Sequence, residues 1–124
     1  MENTHAPSRG SSINMTELLS RVDNDRELLR ELFAIFKEDF PGHLQALQEA
    51  VRRQDMKQVL AVSHTLKGML LNLAVTRAAA AAGELEQLAH EGKTPSVEAA
   101  LTALEREVHG LLPEMEAYTA GVQS

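Results

Sequence analysis

Ser63-His64-Thr65-Leu66-Lys67-Gly68 sets a histidine, a lysine and a glycine within about one turn of a helix. Helical positions three and four apart share a face, so Lys67 and Gly68 both lie beside His64. A neutral imidazole is a nucleophile near physiological pH, and substitution at one ring nitrogen needs the other to carry the proton. Lys67 brings a compact positive charge that can offset a negative one arriving at the ring. Gly68 costs a helix interior about 1 kcal/mol relative to alanine. A chain so rich in alanine that still uses glycine here needs open space. The chemistry open to this trio is reversible attack of an imidazole nitrogen on an anionic electrophile such as a phosphoryl group. Gly68 is a lone glycine with no glycine-rich loop after a strand, so no nucleotide cradle accompanies it. The chain is expected to carry such a group and not to draw one from ATP, and so not to be an enzyme in its own right.

The elements that must position these residues can be placed from helix punctuation. Residues 1–12 contain Pro7, Gly10 and several serines and read as a disordered lead-in. Asn14 can cap a short helix carrying Met15, Leu18, Leu19 and Val22. Asp23-Asn24-Asp25 interrupts and recaps, and the next helix carries Leu28, Leu29, Leu32, Phe33, Ile35, Phe36 and Phe40. Pro41-Gly42 should kink or briefly break it before it resumes through Leu44, Leu47 and Val51. Gln54-Asp55 turns the chain, with Asp55 a good N-cap. A third major stretch then runs from about Met56 to Leu73.

At 100° per residue, Val59, Val62, Leu66, Met69, Leu70 and Leu73 gather opposite His64 and form the expected buried stripe. His64, Lys67, Gly68 and Ala61 fall on the other side, with Leu60 and Leu71 flanking the histidine. His64 therefore faces outward amid apolar surface suited to a partner. Thr76 can cap a following helix of Arg77 to Glu91, with Leu85 and Leu88 inward and Gly92 ending it. The alanine run 78–82 suggests close packing on the preceding helix. Thr94-Pro95 starts the last helix, whose stripe is Val97, Leu101, Leu104, Val108, Leu111 or Leu112, and Met115; Pro113 is expected to kink it. The reading is an all-α fold: an antiparallel up-and-down four-helix bundle over residues 13–118 with an additional short N-terminal helix, and a flexible tail over 119–124.

Composition narrows the function classes. The 124 residues fit one domain, and their 44% hydrophobic content includes only 3% aromatics, so the core must be aliphatic. A net charge of -6 and pI near 5.3 argue against a general nucleic-acid binder. The absence of cysteine removes disulfides and thiolate metal sites and fits a reducing compartment. No apolar signal-like region opens the chain and no run approaches a membrane span, so a cytoplasmic monomer without membrane insertion is expected. Di-iron bundles space glutamate and histidine by three; here Glu86/His90 and Glu105/His109 are spaced by four. A metal-binding bundle is thus disfavoured, and no metal site is expected. His5, His43 and His109 read as structural or solvated.

His64-Thr65-Leu66-Lys67-Gly68, then Asn72-Leu73, Leu85-Glu86 and Gly92, resemble the histidine-containing phosphotransfer (HPt) domain of bacterial and fungal two-component phosphorelays. The similarity spans roughly residues 13 to 115. It implies that His64 is the phosphoacceptor, that Lys67 helps hold the phosphoryl group, and that Gly68 clears the approach of a response-regulator receiver domain. It further implies that a polar residue on the next helix bonds the unphosphorylated ring nitrogen, where Glu86 stands at the matching position and Gln87 is its neighbour and rival. Leu60, Ala61, Leu71 and His90 would border the docking face. The implied function is acceptance of a phosphoryl group from a receiver-domain aspartate and its passage to another receiver, with a hybrid sensor histidine kinase as a possible further partner. The chain itself would bind no cofactor, Mg²⁺ being held by the receiver. Two positions depart from the family pattern: Met69 follows the glycine where serine or alanine is usual, and Ala74 stands where glycine is usual. The alternative is a helical module that binds a protein partner without being phosphorylated.

Overall fold

The computed structural model describes residues 13–119, which form five helices: α1 (Met15–Arg21), α2 (Arg26–Arg52), α3 (Met56–Asn72), α4 (Thr76–His90) and α5 (Thr94–Thr119). The lead-in 1–12 and the tail beyond Thr119 lie outside the described residues, and α5 runs one residue past the anticipated end of the bundle. Three helices start on side-chain caps. Asn14 accepts the Glu17 amide at 3.1 Å, Asp25 that of Leu28 at 3.0 Å, and Asp55 that of Gln58 at 3.2 Å. Each such cap contributes about 1 kcal/mol.

α4 begins differently from the sequence reading. Thr76 is its first residue and not its cap; Val75 occupies the N-cap position and makes no side-chain bond there. The reason is a long-range contact: Val75 pairs with Ile13 in an isolated antiparallel bridge, and the Asn14 amide donates to the Ala74 carbonyl at 3.1 Å. The anticipated break at Pro41-Gly42 does not occur, and α5 likewise continues through Pro113. Both prolines are exposed, while Phe36, Phe40 and Leu47 on α2 and Leu111 and Met115 on α5 are buried on either side of them. Each proline removes one backbone hydrogen bond, and burial of the apolar stripe through the same turns holds the helix.

α2 packs on α3 and α5, and α4 packs on α3 and α5, closing a ring of four. Three-residue connections at 53–55, 73–75 and 91–93 make successive helices antiparallel. α1 lies against the α3–α4 connection, where Arg21 Nη1 donates to the Leu71 and Asn72 carbonyls at 2.8 and 3.1 Å. It thus satisfies the orphaned end of α3 with a cation. The core is mostly aliphatic, but Phe33, Phe36 and Phe40 of α2 are buried in it too, so it is not aliphatic alone. On α3, Val59, Val62, Leu66 and Leu70 are buried, Leu73 is buried just beyond the helix, and Met69 is half-buried. Ser63 joins them unannounced; its hydroxyl is buried and donates to the Val59 carbonyl at 2.7 Å. On α5, Leu111 and not Leu112 is fully buried, and Leu101 is only half-buried. α3 and α4 form the most extensive interface of the bundle, with Ala78, Ala79 and Ala82 buried in it.

Candidate functional site

His64 projects from the middle of α3, one residue past buried Ser63, and its side chain is 68% exposed. The same helical turns that bury Val62 and Leu66 turn residue 64 away from the core. From α4, Glu86 reaches across: it stands four residues after Ala82 and three before Ala89, both buried, so it sits at the edge of the face packed on α3. Its Oε2 lies 2.8 Å from His64 Nδ1. An ionised carboxylate only accepts, so Nδ1 carries the proton and Nε2 keeps its lone pair. Glu86 Oε1 lies 2.8 Å from Lys67 Nζ, an ion pair. One carboxylate thereby ties the imidazole to the ammonium. The Lys67 ammonium beside Glu86, and then the His64 ring, hold its carboxyl below the usual carboxylate range against the opposing effect of burial.

Gln87, one position on, points elsewhere and donates to Glu91 Oε2 at 2.7 Å. Gly68 is exposed, and a methyl built on it meets nothing within 4 Å, so its open side faces away from the bundle. Ala61 and His90 are exposed, and Leu71 is 48% exposed. Leu60 is half-buried and packs against the core, so only part of it borders the histidine. Sequence reasoning missed Gly83, at which an added Cβ would stand 3.4 Å from Lys67 Cδ. The available signal was a glycine placed directly after five successive alanines in a helix. Among the described residues, no group of three or more histidine, cysteine, aspartate or glutamate side chains gathers as a metal site would need. No helix of the described residues is long and apolar enough to cross a membrane.

Residues 31–117, most of the chain, match the model of the Hpt domain. The chain belongs to the Hpt family. Hpt domains are histidine phosphocarriers of two-component phosphorelays, and the all-α bundle described above is the architecture of an Hpt domain. No curated protein and no solved structure matches the chain significantly.

Proposed function

We propose that this Hpt domain accepts a phosphoryl group on His64 Nε2 from the aspartyl phosphate of a receiver domain and passes it to the aspartate of another. The observation that carries this reading is the 2.8 Å contact between His64 Nδ1 and Glu86, which leaves the outward nitrogen as the nucleophile. The Nε2 lone pair attacks phosphorus, the N–P bond forms as the P–O bond to the aspartate breaks, and the aspartate leaves as a carboxylate. The ring then holds phosphorus on Nε2 and hydrogen on Nδ1, and Glu86 offsets its positive charge while Lys67 offsets the phosphoryl oxygens. Transfer onward reverses these steps on a second receiver. Gly68 clears the approach, with Ala61, Leu71, His90 and the accessible part of Leu60 around it as the contact surface. Mg²⁺ belongs to the receiver, ATP to an upstream histidine kinase, and the carrier acts in the cytoplasm as a monomer.

Incubation with a purified phosphorylated receiver domain tests this. The wild type gains an acid-labile, base-stable label, and His64→Gln gains none while its melting temperature stays close to wild type, because the residue faces outward. Equal labelling of the variant would refute the assignment and favour a bundle that binds its partner without chemistry.

A further inference from the structure

The two glycines nearest the site have different surroundings. Gly68 opens onto empty space, whereas Gly83 on α4 faces the stem of Lys67. Lys67 arises on α3, yet its ammonium reaches Glu86 on α4, and its side chain is only 34% exposed. To make that crossing its δ-carbon passes Gly83, and its stem forms one wall of a shallow apolar trough between the two helices, with Leu71, Thr76, Ala79, Ala80 and Gly83 as the others. A long cationic side chain commonly buries its stem in this way and leaves only the head in water. Gly83 follows the alanines at 78–82 and is itself helical, so the chain forgoes helix propensity at this one position.

We propose that Gly83 is a positioning residue for the phosphotransfer site: its missing side chain leaves the Lys67 stem room to pass over α4, and this sets the ammonium beside Glu86 and His64. The inference rests on the phosphocarrier reading above and adds a residue to it. An alanine at 83 would only touch the Lys67 stem at ordinary contact distance. A leucine would fill the trough, lift the stem and withdraw the charge from the ring.

The test uses the full chain and potassium phosphoramidate, a small donor that needs no docking surface, and reads the rate of His64 labelling and the lifetime of the phosphohistidine. Gly83→Ala should label like wild type and melt higher. Gly83→Leu should label several-fold more slowly, about as slowly as Lys67→Ala, and should cause no further loss in the Lys67→Ala background. Gly83→Met serves the same purpose if circular dichroism finds Gly83→Leu unfolded. Labelling of the bulky variants at the wild-type rate, or an equal slowing whether or not Lys67 is present, would overturn the positioning role. Failure of the wild type to label at His64 would instead overturn the phosphocarrier reading on which it stands.

Discussion

Glu86 meets an imidazole and an ammonium with one carboxylate, 2.8 Å from His64 Nδ1 and 2.8 Å from Lys67 Nζ, and its side chain is only 22% exposed. Because Lys67 and His64 lower its pKa in the folded chain, Glu86 binds fewer protons folded than unfolded through its titration range. The resulting stabilisation is complete above the ordinary carboxylate value of 4.5 and is lost as the pH falls through the lowered folded value. Glu86→Gln should therefore be less stable than wild type at neutral pH by about 1 kcal/mol or less. That gap should close on acidification below 4.5. Urea unfolding over this range checks it, and a gap independent of pH would contradict the ionic account. Glu49 and Glu91 are also lowered by their neighbours, so only the difference between the two proteins isolates Glu86. The outward pose of His64 was legible from helical angles alone. The choice of Glu86 over Gln87 was not, since adjacent helical residues differ by about 100° and the relative rotation of α3 and α4 decides which one reaches the ring. Gly83 was equally hidden, because its role appears only once the Lys67 stem is laid across α4.

At the scale of elements, the ends of the helices carry most of what local sequence could reveal. Asn14, Asp25 and Asp55 were readable as caps because each satisfies an amide three residues away. Val75 was not, because its backbone is held by Ile13 from far along the chain. The absence of a break at Pro41 has a related reason: proline chemistry is local, whereas the burial that carries α2 and α5 past Pro41 and Pro113 is tertiary. Among the described residues, four other than glycine adopt positive φ: Asp23, Asn24, Gln54 and Ala74. Asp and Asn tolerate this conformation; glutamine and alanine meet a steric penalty of about 1–2 kcal/mol. Gln54 is exposed and closes α2 at φ 58°. Gln54→Gly should thus stabilise the protein by about 1 kcal/mol, read as a raised urea midpoint, since glycine relieves the left-handed strain. An unchanged or lowered midpoint would show that the turn is not strained. Ala74, at φ 56°, stands where the family usually has glycine, but its methyl is buried, so the same exchange there trades relieved strain against lost packing.

Over the whole molecule, α2 and α5 have 27 and 26 residues against 17 and 15 in α3 and α4. Their surplus length, about 15 Å at the helical rise, extends beyond the α3–α4 connection. It is joined there by the edge-to-face pair Phe33–Tyr118, with ring centroids 5.5 Å apart, and by the Lys37–Glu116 ion pair at 2.8 Å. Phe33 is fully buried, so Phe33→Ala should cost about 3–5 kcal/mol in chemical denaturation while leaving His64 labelling of the folded fraction intact. A small loss would mean that this end frays independently of the bundle. The bundle thus supplies rigidity at a distance and leaves the chemistry to one exposed face of α3 with Glu86 from α4. In the proposed transfer, Glu86 holds the proton on Nδ1 and makes His64 Nε2 the acceptor. Phosphorus and nitrogen NMR of the ¹⁵N-labelled chain treated with potassium phosphoramidate tests it most directly: a single phosphohistidine bonded through Nε2 of His64 is the predicted result, and phosphorylation at Nδ1 or at another histidine would contradict it.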